Sequence, residues 1–130
     1  MPIPRTLDGF DVTAAVARML DQPMLWWQAV GLFVEHFAGW EQAWQDSIGD
    51  PVREQKRVHA LRSAAANVGA TALSEVAAAL EDQLLKCQAG ELASVSESSR
   101  QHLLESFRHT WHAAADAWSA GASGSAGLAR

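Results

Sequence analysis

Apolar residues recur at the three- and four-residue spacing of an α-helix along almost the whole chain. Runs of strict alternation, the pattern of a half-buried β-strand, are missing. The longest apolar stripe steps by four, three, four, three and four residues through Trp26, Val30, Phe33, Phe37, Trp40 and Trp44. Such a stripe places its side chains on one face of a helix, against a core. The sequence therefore predicts an all-α fold.

Capping and helix-breaking residues divide this pattern into five predicted helices. Asp11 suits the N-cap of the first, Pro23 the first turn of the second, and Asp50 with Pro51 the start of the third. The predicted helices span about residues 11–20, 23–46, 51–68, 71–90 and 96–118, with Ser94 as an alternative start for the last. The four longer helices have short connections, which predicts an antiparallel four-helix bundle with a short additional N-terminal helix.

The chain length and the Gly and Ser content suggest the domain limits. A chain of 130 residues with 48% apolar residues is enough for one domain with its own core. We expect residues 1–8 to be an N-terminal leader and residues 9–118 to form the bundle. Residues 119–130 are rich in Gly, Ala and Ser, which predicts a flexible tail.

Charge and composition exclude several classes of function. Fifteen acidic and ten basic side chains give a net charge of -5, which disfavours nucleic-acid binding. The longest uncharged apolar stretch, from Gln22 to Val34, has 13 residues, whereas a membrane span needs about 20. Cys87 is the only cysteine, so an internal disulfide is excluded, as suits a reducing compartment. We therefore expect a cytoplasmic domain with neither nucleic acid nor membrane as a partner.

The third predicted helix carries a histidine on its outer face. The core positions of this helix are Val58, Leu61, Ala65 and Val68. His59 is turned away from that stripe, with Ser63 and Ala66 one and two turns later on its own face. Small neighbours leave an open surface around a ring nitrogen, as an attack on a partner's atom requires.

Cations gather around this histidine. Arg53, Lys56, Arg57 and Arg62 fall within ten positions with a single acidic residue, so the segment carries a surplus of +3. Such a cluster is often only a solvated helix face, but here it also suits an anion or an acidic partner surface.

Glu81 is predicted to lie at the level of His59. If the third and fourth helices form a hairpin that turns at Ala70, the two residues are equally far from the turn. Glu81 then either accepts a hydrogen bond from Nδ1 of His59, which leaves Nε2 available, or forms an ion pair with Arg62. The sequence leaves both alternatives open.

At these positions the sequence resembles the histidine-containing phosphotransfer (HPt) family of bacterial and fungal phosphorelays. The family pattern is His-x-Leu-Lys-Gly, then small residues and a Gly ten positions after the His. The matching residues are His59, Leu61, Arg62, Ser63, Ala65 and Gly69. The similarity extends to Gly9-Phe10-Asp11-Val12 and Leu80-Glu81 and covers about residues 9–118. Arg62 replaces the usual Lys and Ser63 the usual Gly, which changes the donor geometry and narrows access to the ring.

The resemblance implies a phosphoryl carrier rather than an enzyme. His59 would accept a phosphoryl group as phosphohistidine and pass it between response-regulator receiver domains. Arg62 and Lys56 would offset the phosphoryl charge, Ser63 would leave room, and Glu81 would orient the ring. The expected partners are receiver domains and a hybrid sensor histidine kinase, with Mg²⁺ supplied by the receiver, no cofactor or metal of its own, and a monomeric state.

Two other interpretations remain. One is an HPt-like scaffold that binds a receiver or kinase without efficient transfer, which the Ser63 substitution leaves open. The other is the phosphoacceptor domain of a chemotaxis-type kinase. An enzyme is disfavoured because the chain has no Gly-rich phosphate loop, nucleophile elbow or paired metal motif.

The receiver-docking surface is expected around Met19, Leu20, Arg53 and Ala66. Trp27 belongs to it only if its indole is exposed. It lies about 100° around the helix from Trp26, so the two indoles cannot point at the same core. Either Trp27 is covered by the first helix, or it joins Met19 and Leu20 in an apolar patch for the receiver.

A second group of histidines has the spacing of a helix-face metal site. It consists of His102, His109 and His112, together with Glu105. Since no cysteine or second ligand motif accompanies them, we interpret them as surface side chains.

Overall fold

Six α-helices follow one another along the chain in the computed structural model, which describes the backbone of residues 3–128 and the side chains of residues 3–121. They are α1 (Val12–Arg18), α2 (Pro23–His36), α3 (Trp40–Ser47), α4 (Pro51–Val68), α5 (Thr71–Gln88) and α6 (Glu97–Leu128). Over these residues no strand forms, apart from one isolated bridge between Leu7 and Phe10. The predicted all-α class is confirmed.

The predicted caps start two of these helices. The carboxylate of Asp11 accepts a hydrogen bond from the backbone N–H of Ala14 at 3.1 Å, and that of Asp50 from the N–H of Arg53 at 3.2 Å. Pro23 and Pro51 occupy the first turns of α2 and α4, where a missing N–H is tolerated.

The single helix predicted for residues 23–46 is wrong, because the chain leaves the helical path at residues 37–39. Gly39 stands there, and a Gly inside a helix costs about 1 kcal/mol relative to Ala. Both halves still use the predicted stripe, since Phe33 and Trp40 are buried and Phe37 is half-buried. The indole N–H of Trp40 donates to the carbonyl of Arg57 at 2.9 Å, which attaches α3 to α4.

The turn between α4 and α5 depends on Gly69. Its φ of 87° lies in the left-handed region, and its carbonyl accepts a hydrogen bond from the N–H of Asp11 at 2.7 Å. A Cβ at this position would lie 2.8 Å from both the Ala15 Cβ and the Asp11 carbonyl oxygen. Trp26 donates to the carbonyl of Val68 at 2.8 Å, so α1 and α2 both hold the end of α4.

Helix α6 is longer than the sequence suggested. Its backbone is helical through Leu128, so the predicted end at Trp118 is wrong. Extending an existing helix needs no new nucleation, which lets it continue through small residues. The flexibility predicted for residues 119–130 stays a prediction.

A buried ion pair joins α4 to α6. The Glu54 side chain is 1% exposed, and its two oxygens accept from Nε and Nη2 of Arg100 at 3.0 and 2.8 Å. Trp44 of α3 also donates to this carboxylate, at 3.1 Å. A buried carboxylate is tolerated only when partnered, so this contact fixes how three helices meet.

Helix α4 lies against α5 along its length and also contacts α1, α2 and α3, whereas α6 packs on α5 and α2. Within residues 3–128, no helix combines the length and the apolar character needed to cross a membrane.

Candidate functional site

His59 stands on the outer face of α4. Its neighbours Val58 and Leu61 are fully buried in the core. Because successive helical residues point in different directions, the His59 side chain is directed outward, and it is 57% exposed. The orientation predicted for the ring is confirmed.

Glu81 faces His59 across the α4–α5 hairpin. Its side chain is only 4% exposed, and its Oε2 lies 2.8 Å from Nδ1 of His59. Its Oε1 accepts from Nη1 of Arg62 at 2.7 Å. The two alternatives left open by the sequence therefore occur together, one on each carboxylate oxygen.

A third donor on this carboxylate was missed. Gln55 donates from Nε2 to Oε2 of Glu81 at 2.7 Å. It lies one turn before His59 on the same face of α4, and that spacing was the only available hint.

Hydrogen bonding keeps the Glu81 carboxylate ionised. Burial by itself would raise the pKa of Glu81, but the hydrogen bonds from Arg62, Gln55 and His59 outweigh burial, and the pKa lies below its ordinary value of 4.5. An ionised carboxylate can only accept, so the Nδ1 atom of a neutral His59 carries the proton. The ring nitrogen with the free electron pair is then Nε2.

Small side chains border the ring. Ser63 and Ala66 are exposed on the same face of α4, and Lys56 is exposed one turn before His59. The Arg62 side chain is 48% exposed, with one N–H group directed at Glu81. A guanidinium has five N–H groups, so Arg62 retains donors for a second anion.

Three of the four cations of the predicted basic cluster, all but Arg62, line a cleft of about 590 Å³ between α3 and α4. Its cations are Arg53, Lys56 and Arg57, and Trp40 and Ala60 are among its apolar residues. Among the described residues, none of these three cations is within ion-pair distance of a carboxylate, whereas Arg62, Lys86, Arg100 and Arg108 all are. The cleft therefore presents uncompensated positive charge, and its Lys56 lies one turn before His59 on α4.

The residues predicted to dock a partner differ in how exposed their side chains are. Leu20 is 78% exposed, Arg53 and Ala66 are exposed, and Met19 is half-buried. Leu20 and Asp21 both have positive φ, 60° and 56°, so the corner that presents Leu20 is strained. Sequence reasoning missed the exposed apolar side chains of Met24 and Leu32 on α2, whose exposure depends on tertiary packing.

Trp27 does not belong to an exposed patch. It is 3% exposed, and its ring centroid lies 5.7 Å from that of Trp26 and 5.1 Å from that of Trp118. The docking role predicted for Trp27 is therefore corrected. Trp118 of α6 covers it, and Gly31 makes room, since a Cβ there would lie 2.5 Å from the Trp118 ring. Trp26 and Trp27 belong to one core cluster, so the expectation that they cannot point at the same core is wrong.

No group of three or more His, Cys, Asp or Glu side chains is arranged to hold a metal ion in the described part of the chain. His109 instead lies 2.8 Å from the carboxylate of Asp8.

The family follows from comparison with known proteins. The family described as Hpt domain matches residues 34–121, about two-thirds of the chain, and this protein belongs to that family. The match contains His59, Arg62, Ser63 and Glu81, whereas α1 and most of α2 lie before it. Neither curated proteins nor solved structures give a significant match. Hpt domains are phosphocarrier modules of two-component phosphorelays, and they interact with receiver domains and kinases.

Proposed function

We propose that this protein carries a phosphoryl group between receiver domains through phosphohistidine at His59. The observation that supports this best is the state of the ring, with Nδ1 hydrogen-bonded to Glu81 and the side chain largely in solvent. Only Nε2 is then free to meet a partner's phosphorus atom.

The proposed chemical step is an in-line displacement. Nε2 of His59 attacks the phosphorus of an aspartyl phosphate on the receiver, an N–P bond forms, and the P–O bond to the aspartate breaks. The aspartate carboxylate leaves with the electron pair. The proton on Nδ1 stays in place, and the ionised Glu81 offsets the positive charge that develops on the ring. The reverse step on a second receiver completes the transfer.

Side chains around the ring take supporting roles. Lys56 is exposed within one turn of His59 and has no ion-pair partner among residues 3–121, so it offsets charge on the phosphoryl oxygens. Arg62 contributes to the same group with the N–H donors that Glu81 does not use. Ser63 and Ala66 are small and let the receiver approach. In this proposal the protein uses no cofactor of its own, because the receiver supplies the Mg²⁺.

The receiver docks, in this proposal, over the α4 face that carries His59. The proposed docking residues are the exposed Leu20 and Ala66, the half-buried Met19 and the cation Arg53, and the basic cleft attracts an acidic partner surface. We further propose that α2 with α3, α4, α5 and α6 form the four members of an antiparallel bundle, and that the carrier is a monomer acting between receivers and a hybrid sensor histidine kinase.

Incubation with phosphorylated receiver domains tests the proposal. Each receiver of the source organism is labelled with radioactive phosphate and mixed with the protein or with its His59→Gln variant. We expect acid-labile, base-stable phosphate on the unchanged protein and none on the variant. Binding without transfer would instead indicate a scaffold, and label arriving only from a kinase would indicate a kinase phosphoacceptor domain.

A further inference from the structure

Gln55 shares an acceptor atom with the proposed phosphoacceptor. Its Nε2 lies 2.7 Å from Oε2 of Glu81, the same oxygen that lies 2.8 Å from Nδ1 of His59. Gln55 is half-buried between α4 and α5, and its amide is directed at this carboxylate. Neither the Hpt pattern nor the basic cluster includes it.

The orientation of a glutamate carboxylate is set by its hydrogen-bond donors. The terminal torsion of a Glu side chain is broad, so covalent geometry alone leaves the carboxylate plane loosely defined. Arg62 holds Oε1 of Glu81, and Gln55 holds Oε2. With both oxygens held, a lone pair of Oε2 stays directed at Nδ1 of His59.

The direction of that lone pair decides the tautomer of the ring. A neutral imidazole carries its proton on Nδ1 or on Nε2, and the acceptor beside one nitrogen selects between them. A carboxylate that rotates away from Nδ1 lets the proton move to Nε2. In that tautomer the free electron pair lies on Nδ1, on the Glu81 side of the ring.

We propose that Gln55 is a positioning residue that acts through Glu81 to make Nε2 the nucleophilic nitrogen of His59. This inference rests on the proposed function for its relevance to transfer. The ring tautomer itself is measurable without any partner, so the two proposals can fail separately.

A merely structural role is the competing explanation, and the chain offers a matched control. Gln83 is also half-buried and donates from Nε2 to Oγ of Ser99 at 2.7 Å, which joins α5 to α6. It makes the same kind of interhelical hydrogen bond without touching Glu81. Oε1 of Gln83 also accepts from the N–H of Ser96 at 3.2 Å, so Gln83→Leu removes more hydrogen bonds than Gln55→Leu. Only Gln55→Leu alters the carboxylate beside His59.

The ring nitrogens report the tautomer by ¹⁵N nuclear magnetic resonance at alkaline pH. In the unchanged protein we expect Nε2 of His59 to show the shift of an unprotonated nitrogen and Nδ1 that of a protonated one. In Gln55→Leu the two shifts should move toward each other, whereas Gln83→Leu should keep them. Glu81→Leu serves as the reference for a lost acceptor, because a Gln at this position would still accept through its amide oxygen. Unchanged shifts in Gln55→Leu would overturn the proposal.

Phosphorylation with phosphoramidate gives a second readout. We expect the unchanged protein to form phosphohistidine at Nε2 alone, Gln55→Leu to form some at Nδ1, and its Nε2 rate to fall about threefold to tenfold, the value of one hydrogen bond. An Nε2-only product at the unchanged rate in Gln55→Leu would contradict the proposal. A shifted tautomer in Gln55→Leu, with no receiver able to phosphorylate the unchanged protein, would uphold Gln55 and reject the carrier function.

Discussion

Nδ1 of His59 lies 2.8 Å from Oε2 of Glu81, so a histidine on α4 is oriented by a nearly buried carboxylate on α5. The same carboxylate accepts from Gln55 and Arg62, at 2.7 Å in each case. One acidic side chain thus ties the exposed ring to the hairpin.

Glu81→Gln should slow transfer from a phosphorylated receiver about tenfold to a hundredfold, because a hydrogen bond to a charged group is worth about 1.5–3 kcal/mol. The amide no longer offsets charge on the ring. The initial rate of label transfer measures the effect. Glu75→Gln is the control, since Glu75 is exposed on α5. This variant should accept the label at the unchanged rate. Equal rates for Glu81→Gln and the unchanged protein would contradict the role of the carboxylate charge.

The stability of the fold should depend on pH through Glu81. The pKa of this carboxyl is lower in the folded chain than its ordinary value of 4.5, so the folded state binds the proton less tightly than the unfolded state. The resulting stability is fully present above pH 4.5 and is lost as the pH falls through the folded pKa. Urea denaturation should show the difference between the unchanged protein and Glu81→Gln shrinking below that pH. A difference that stays constant on acidification would argue against the linkage.

Gly69→Ala should destabilise the fold by about 2–4 kcal/mol, combining left-handed strain with overpacking of a filled site. A Cβ there meets Ala15 and the Asp11 backbone at 2.8 Å. Gly90→Ala is a matched control, because Gly90 has a φ of 77° but nothing within 4 Å of its added Cβ. We expect only the strain contribution there, about 1–2 kcal/mol. Urea denaturation of both variants measures the difference, and equal losses would show that the contact with α1 adds nothing.

Charge reversal in the cleft should slow transfer in a salt-dependent way. Arg53→Glu with Arg57→Glu turns an uncompensated positive surface negative, which should lower the rate from a phosphorylated receiver about tenfold or more at low salt. Near 1 M salt the Debye length is about 3 Å, and the difference from the unchanged protein should largely vanish.

The control for this pair carries the same change of net charge elsewhere. Arg5→Glu with Lys86→Glu alters two exposed cations outside the cleft, and we expect a much smaller effect. If both double variants slow transfer equally, the net charge and not the cleft governs association.

Local sequence features predicted much of the fold. The cap at Asp11, the helix start at Pro23 and the helix end at Gly69 each depend on one helical turn, so these roles can be read from neighbouring residues. The pairing of His59 with Glu81 was also predictable, because equal distances from one turn place two residues at the same level of a hairpin.

The features that the sequence did not predict depend on contacts between distant segments. Residues on both sides of the break at 37–39 share one apolar stripe, so periodicity alone could not locate the interruption. The cover over Trp27 comes partly from Trp118, about ninety positions later in the chain. Gln55 could be paired with Glu81 only once side-chain directions on two helices were known.

The hydrogen bond on Nδ1 of His59 has a consequence for the proposed phosphoryl transfer. With Nδ1 occupied by Glu81, phosphorus must arrive and depart through the same nitrogen and from the same direction. In the proposed function, a donor and a recipient receiver would therefore bind in turn at the same position. In the proposed relay, the first receiver therefore has to dissociate before the second one binds.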